Sequence, residues 1–343
     1  MENQKTVYLL GAGASNASDF ELPLMKGFFR EEDFKNGNYP NLSEFIKEHF
    51  QKIPFCELNL EDVITFLELS TDKFGSFGKI PETYLYEARR EFEEYVKNRL
   101  NISGTKGCKK HAEFLRCLAG CDSKDSIITL NYDLVVDRTL YGLSPRDDQS
   151  KIAHECLIDR MYHLLGRTQL WHGERPSLYH KHKGLGFYLK LHGSVDWLYC
   201  QNQDCGNHQL FFPNWIDSPQ VHNQSGDPCS LCGSPLVSVI IPPTVHKSFE
   251  NFPKLGLLWS IAYREIKEAD KLVFIGLSLA ESDYYLNWLI KSAVVNSKKS
   301  KIVEVVNKDK TIGEKIEKLI GVAPAPLLGD FDEYIGKIKT TMK

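Results

Sequence analysis

No stretch of this 343-residue chain approaches 18 consecutive apolar residues, so no bilayer-crossing helix is expected. The N-terminus reads Met-Glu-Asn-Gln-Lys-Thr and has no basic segment followed by a 7–15-residue apolar run. It is therefore read as carrying no secretory leader. Excess charge of one sign is also missing: 42 Lys plus Arg face 45 Asp plus Glu, a formal charge of -3. That removes the footprint of a dedicated nucleic-acid or acidic-membrane binder. Repeats and low-complexity linkers are absent, and 42% hydrophobic with 25% charged residues excludes wholesale disorder and a fibrous repeat. An even cysteine count is lacking too. Nine cysteines argue against a fully paired disulfide framework. With a cytoplasmic location expected, clustered cysteines point to metal before disulfides.

What is present is an alternation of buried-type strands and helices. Apolar runs at Lys5–Leu10, Ser126–Leu130, Phe187–Leu191, Val237–Ile241, Lys271–Ile275 and Lys301–Val306 read as strands. Helical spacing marks Leu58–Leu69, Glu82–Leu100, His111–Ala119, Asp133–Tyr141, Phe252–Ala269, Asp283–Val295, Thr311–Ile320 and Asp330–Met342. Residues 142–186 show no period. Buried strands separated by helices predict an α/β fold with a Rossmann-like parallel sheet and helices on both faces. The expected organisation is one domain over 1–343. Its core spans 1–30, 121–196 and 237–343, with a helical insertion at 31–120 and a small zinc-binding module at 197–236.

Three motifs stand at strand ends, where open α/β sheets bind ligands. Gly11-Ala12-Gly13-Ala14-Ser15 follows the first strand. Such a turn lets backbone approach a pyrophosphate, although the full G-x-G-x-x-G is absent because residue 16 is Asn; the alternative is a plain strand–turn–helix. Asn131-Tyr132-Asp133 follows the second strand. Asn131 can donate and accept, and Asp133 can accept from ribose hydroxyls or a carboxamide or simply cap the next helix. Leu191-His192-Gly193 ends a third strand, and His192 can serve as a general base or be structural. Two further turns, Gly276-Leu277-Ser278-Leu279 with Asp283 downstream, and Val305-Val306-Asn307, place small or polar residues at similar positions.

Cys200-x4-Cys205 and Cys229-x2-Cys232, separated by 23 residues, suit a tetrahedral thiolate zinc site. His208 and His222 lie in the intervening loop as substitute ligands, but four thiolates is the simpler set. A closed four-ligand site leaves no position for a catalytic water, so the zinc is assigned to structure. Cys56, Cys108, Cys117, Cys121 and Cys156 are expected to be buried small hydrophobes. Basic clusters at Lys106–His111, His180–Lys183 and Lys298–Lys301 read as solvated surface rather than nucleic-acid contacts.

In this order, over residues 5 to 310, the motifs resemble the sirtuin family. The resemblance implies an NAD-binding Rossmann-type core with a helical and a zinc module, and breakage of the nicotinamide–ribose bond. It places the phosphates on Gly11, Ala12, Gly13 and Ser15, and the nicotinamide and its ribose against Asn131 and Asp133. His192 becomes the general base, Gly276 and Ser278 line the dinucleotide, and Asn307 lies near the adenosine. Two segments depart from the deacylase pattern. Asp19-Phe20-Glu21-Leu22-Pro23-Leu24 stands where deacylases carry an Ile-Pro-Asp-Phe-Arg-like loop. Val239-Ile240-Ile241-Pro242-Pro243-Thr244 replaces the Phe-Gly-Glu segment that helps bind acyl-lysine. The chain thus looks more like the divergent bacterial sirtuin-like NAD hydrolases of anti-phage defence. That likeness implies NAD hydrolysis to ADP-ribose and nicotinamide, a homo-oligomer, and assembly with a partner ATPase or nucleic-acid-sensing protein. A protein deacylase and a non-catalytic NAD- or ADP-ribose-binding subunit remain the alternatives.

Overall fold

A computed structural model describes residues 4–72, 82–102, 107–118, 124–142, 161, 186–200, 202–205, 210, 226–241, 253–326 and 328–341. The expectations attached to 143–160, 162–185, His208, His222, Cys121 and Cys156 lie outside the described residues. In chain order the elements begin β1 (Thr6–Leu10), α1 (Ala12–Asn16), α2 (Pro40–His49), α3 (Leu60–Asp72), α4 (Glu82–Arg99) and α5 (Lys109–Leu118). Then come β2 (Ser126–Thr129), α6 (Val135–Gly142), β3 (Tyr188–Lys190), β4 (Gly193–Cys200) and β5 (Leu236–Ile240). The last are α7 (Pro253–Glu268), β6 (Lys271–Ile275), α8 (Tyr284–Val295), β7 (Ile302–Val306), α9 (Thr311–Ile320) and α10 (Phe331–Thr341). They divide into two compact units. The first comprises Met1–Leu22, Ile102–Gly193 and Val245–Lys343, and the second Pro23–Asn101 and Ser194–Thr244.

The first unit is built on a five-stranded sheet of order β3-β2-β1-β6-β7. Every neighbouring pair is parallel, with Tyr8 beside Ile127 on one side and Val273 on the other. Val7, Tyr8, Leu9 and Leu10 are all buried. Successive residues point to opposite faces, so burial of both sets requires cover on both faces. The unbroken apolar runs are the sequence signature of that environment. Helices α5, α6 and α10 pack together, as do α7, α8 and α9. Tyr8 meets Phe114 of α5 at 5.2 Å between ring centroids, and Phe114 meets Phe331 of α10 at 5.3 Å. That packing places α5 with the sheet, although it lies inside the 31–120 segment. From β1 the chain steps outward to β2 and β3, then returns past β1 to β6 and β7. The order reverses between β1 and β6, and open α/β sheets bind ligands in the crevice at that switch point.

The second unit packs α2 and α3 on α4, and α4 on β5. β5 pairs with β4 in a separate two-stranded sheet and does not join the large one. Buried Glu93 of α4 explains the attachment: its carboxylate accepts from the Ser238 N–H at 3.0 Å and from Arg89 Nε at 3.0 Å. Glu91 accepts from Asn41 Nδ2 (2.6 Å) and the Leu42 N–H (2.8 Å), capping α2 from another helix. Phe29 and Tyr95 stack with centroids 5.3 Å apart at the centre of an aromatic cluster with Phe28 and Phe34.

Candidate functional site

In the first unit the loops after β1, β6 and β7 are tied backbone to backbone. The Gly11 N–H donates to Ile275 O (3.0 Å), Gly13 N–H to Gly276 O (2.9 Å) and Gly276 N–H to Val306 O (2.9 Å). A Cβ on Gly11 would lie 2.6 Å from Gly276 O, and one on Gly13 2.7 Å from Gly276 Cα. A Cβ on Gly276 would run into the Ala14 nitrogen, and Gly276 has φ +60°. Glycine is therefore demanded here by the contact between two turns, a packing reason that precedes any ligand. Ala12 opens α1, and Ser278 is exposed on the β6 turn. Asn307 donates from Nδ2 to Leu277 O (3.0 Å), pinning that turn from the end of β7.

Asn131 and Asp133 stand at the end of β2, both buried. Asn131 Nδ2 donates to Gly11 O (2.9 Å) and to Ser15 Oγ (2.8 Å). Both amide hydrogens are thus used within the protein, and what Asn131 can present is Oδ1, an acceptor. The Asp133 carboxylate takes the Val135 N–H at 2.9 Å, as a helix cap would, and is also bonded by the Ser15 hydroxyl. Burial pushes the Asp133 carboxyl above its ordinary range, and the Lys190 ammonium opposes that rise. Lys190 is fully buried on β3. Its Nζ reaches Asp137 Oδ2 (2.9 Å) and the Asp133 carbonyl, while Tyr188 donates to the same Asp137 oxygen (2.9 Å). This cation beneath the Asn131–Asp133 loop is absent from the sequence reading, because a lone Lys in an apolar strand carries no motif.

His192, two residues beyond β3, is buried, and its Nε2 lies 3.0 Å from Asp283 Oδ2. Its ring sits 6.2 Å from that of Tyr132 and 6.2 Å from Trp259, the latter nearly parallel at 21°. Trp259 of α7 is itself held by Nε1–H donating to Leu191 O at 3.0 Å. Asp283 is the N-cap of α8, its Oδ1 accepting from the Leu286 N–H at 3.1 Å. The sequence shows Asp283 only as a residue downstream of the glycine turn. Its place before a helix is a readable signal, but its pairing with His192 beyond β3 is not. Gly11, Gly13, Ser15, Asn131, Asp133 and Gly276 are thus brought into direct contact, with His192 joined to them through Tyr132 and Asn307 through the β6 turn.

In the second unit the sulfurs of Cys200, Cys205, Cys229 and Cys232 all lie within 4.8 Å of one another. Cys200–Cys232 is 3.5 Å and Cys205–Cys229 3.8 Å. A tetrahedron of ligands at about 2.3 Å from zinc has edges of about 3.8 Å, whereas a disulfide needs about 2.05 Å. The four thiols fit a zinc ion, and the wide first pair is accommodated by a turn of helix at Gln203–Cys205. Burial pushes the Cys200 thiol up to about 12, while hydrogen bonds from Ser234 bring exposed Cys232 down to about 6. Among the remaining cysteines, Cys108 is buried but Cys56 is exposed. That corrects the expectation for Cys56, which sits in a short 3-10 turn on the surface.

Three lysines of the described basic clusters make structural contacts. Lys110 pairs with Asp332 (2.9 Å) and Lys299 with Asp270 (2.7 Å), while Lys301 donates to the Lys267 (2.8 Å) and Ala269 carbonyls at the end of α7. No helix among the described residues is long and apolar enough to cross a membrane. Residues 19–22 are held at both ends: the Lys109 N–H of α5 donates to Asp19 (2.7 Å), and Asn16 Nδ2 of α1 donates to Leu22 O (2.9 Å).

No protein-family model and no curated protein matches this chain. Among solved structures it is similar to a Sir2 homolog–NAD complex at 16% identity and TM-score 0.51, with 100% of this chain and 92% of that one covered. It is also similar to a mutant Sir2 homologue–ADP ribose complex (15% identity, TM-score 0.47, coverage 99% and 94%). A third similar structure is Sir2Tm bound to a propionylated peptide (13%, TM-score 0.46, coverage 99% and 94%). The full-length likeness to the first of these, together with the five-stranded parallel sheet, shows that the chain has a sirtuin-like fold.

Proposed function

We propose that the chain binds NAD as its substrate at the carboxyl ends of β1, β2, β3 and β6 and hydrolyses the nicotinamide–ribose bond, giving nicotinamide and ADP-ribose. The observation that carries this reading is the meeting, at the sheet's switch point, of two interlocked glycine turns with buried Asn131, Asp133 and His192. The neighbour of like fold is described as a complex with NAD, in keeping with this substrate. Gly11, Ala12, Gly13 and Ser15 line the phosphates through close approach of their backbone, the Gly11 and Gly13 N–H groups being spent on Ile275 O and Gly276 O and the Ser15 hydroxyl on Asn131 and Asp133. Gly276 and Ser278 line the dinucleotide, and Asn307 near the adenosine fixes their turn.

When the C1′–N bond breaks, its electron pair leaves with nicotinamide, whose ring nitrogen becomes neutral. The leaving group therefore needs no proton. The ribosyl cation is captured by water, which forms the new C1′–O bond and releases one proton. Asn131 Oδ1 orients that water, and His192 takes the proton directly or through the ribose hydroxyls. The Asp133 carboxylate anchors the nicotinamide carboxamide or offsets the developing positive charge. The four cysteines hold a structural zinc. The setting in cytoplasmic anti-phage defence, as a homo-oligomer with a partner ATPase or nucleic-acid sensor, rests on the family resemblance. It is supported by the harm that ungated NAD loss would do to its own cell.

Purified protein incubated with NAD should release nicotinamide, in the presence of an activator if assembly gates it. Asn131→Ala and His192→Ala should each lose on the order of 100-fold or more. No release under any condition, or full activity in both variants, would refute the reading. Release that depends on an acyl-lysine peptide selects a deacylase, and tight NAD binding without product selects a non-catalytic subunit.

A further inference from the structure

The structure assigns a positioning residue that the motifs do not: we propose that Asp283 fixes the ring of His192 and selects the tautomer in which Nδ1 is the proton-accepting nitrogen. The proposal rests on the reading of His192 as the base. A helix N-cap needs one acceptor, and Oδ1 supplies it to Leu286 at 3.1 Å. Ser, Thr or Asn would cap α8 as well. The second oxygen has a different task. It faces His192 Nε2 at 3.0 Å, with both side chains nearly closed to solvent. Only a carboxylate meets the helix and the imidazole with an acceptor for each.

The turn that delivers Asp283 is built for that purpose. Leu279 has φ +49°, a region that bulky side chains avoid. The turn is nevertheless held there by Asn307 Nδ2 on Leu277 O (3.0 Å) and Asn287 Nδ2 on Ala280 O (3.2 Å). On the other side, Trp259 and Tyr132 limit the swing of the His192 ring. Donation from Nε2–H to Asp283 places the lone pair on Nδ1. When Nδ1 takes the proton released by water, the adjacent carboxylate stabilises the imidazolium and does not itself become protonated.

Asp283→Asn keeps the cap but disturbs the tautomer preference. Its melting temperature should stay within about 2 °C of wild type. Its kcat for nicotinamide release should fall on the order of 10- to 100-fold, with KM changed less than about threefold. Paired with His192→Ala it should add nothing further, because the two act as one unit. Long-range 1H–15N spectra, assigned with His192→Ala, should show His192 as the Nε2–H tautomer in wild type and a mixture in Asp283→Asn. Wild-type kcat in Asp283→Asn, full multiplicative loss in the double variant, or an Nδ1–H tautomer in wild type would each overturn the proposal. If wild-type protein releases no nicotinamide, the functional reading fails, and the spectrum still decides whether Asp283 sets the ring.

Discussion

Replacing Lys190 by Met separates what holds the site from what acts in it. Lys190 and Asp137 are both fully buried, 2.9 Å apart, with Tyr188 donating to the same Asp137 oxygen. The other oxygen, Asp137 Oδ1, has no hydrogen-bond partner among the described residues. Met conserves most of the volume but leaves the Asp137 charge buried without a cation. Breaking such a pair costs about 3–5 kcal/mol, which at about 2–4 °C per kcal/mol for a unit of this size lowers the melting temperature by about 6–20 °C. Lys190→Met/Asp137→Asn removes both charges and should recover most of that loss, since replacing a buried pair is often near neutral. The site tells a different story. Lys190 opposes the upward push of burial on Asp133, so the double variant should be stable and still impaired in nicotinamide release, its Asp133 carboxyl holding a proton at higher pH. Thermal and urea unfolding by circular dichroism, in parallel with the NAD assay, check both parts. A single-variant cost below about 1 kcal/mol, or a double variant no more stable than the single, would refute the account of the buried pair.

Three other outcomes are expected. Gly276→Ala, whose Cβ would meet the Gly13 Cα at 2.6 Å in a backbone of φ +60°, should cost about 3 kcal/mol or more; Gly336→Ala in α10, whose Cβ would have no atom of the described residues within 4 Å, should be neutral or stabilising by up to about 1 kcal/mol, and equal unfolding midpoints for the two would contradict the interlocked turns. Metal analysis should find one zinc per chain, and Cys229→Ser should lose both the ion and the stability of the Cys200–Leu236 core around it; a metal-free chain with an unchanged midpoint would count against the site. Burial lowers His111 to about 4 from 6.5, so the folded state binds its proton less well than the unfolded chain: that stability is whole above about pH 6.5 and falls by about 3 kcal/mol as pH drops through 4, and His111→Phe should flatten the urea midpoint over pH 7 to 4 relative to wild type.

Elements with a local signature were legible in the sequence. β6 and α9 fall on the residues expected, and β1, β2, β3 and β7 within a residue or two, because the strands are written as apolar runs and α9 as buried Ile312, Ile316 and Ile320 at helical spacing. α2 had no individual expectation. Its N-cap is Tyr39 in the left-handed region, without a side-chain cap bond, and of its orphan N–H groups that of Leu42 is met by Glu91 from α4. No Ser, Thr, Asp or Asn announces it. β4 had no expectation of its own, because Leu191-His192-Gly193 reads as the end of the preceding strand and the residues after it as a cysteine-bearing stretch. The chain turns within two residues there, aided by Gly193 at φ +85°, and strand resumes at once. The site divides in the same way. Its motifs are local and readable, whereas Asp283 against His192 and Lys190 against Asp137 are pairings made by the fold.

The contacts also change what the motif residues can be asked to do. Gly11 and Gly13 pack against Gly276 whether or not a ligand is present, so an inactive glycine variant would say nothing about phosphate binding unless its fold is shown intact. Ser15 hydroxyl and the Asn131 amide hydrogens are committed to each other, to Gly11 and to Asp133. Asn131→Asp would exchange a donor for a second acceptor against Gly11 O and sits beside the Asp133 carboxylate, so it should damage the crevice as well as the chemistry. Asn131→Ala removes Oδ1 together with two hydrogen bonds. A smaller perturbation is Ser15→Ala, which leaves Oδ1 in place and removes one hydrogen bond each from Asn131 and Asp133. If Asn131 acts through Oδ1 on water, Ser15→Ala should reduce nicotinamide release far less than Asn131→Ala at comparable loss of stability. If the two fall together, the loop matters as scaffold alone and the water-orienting role of Asn131 is wrong.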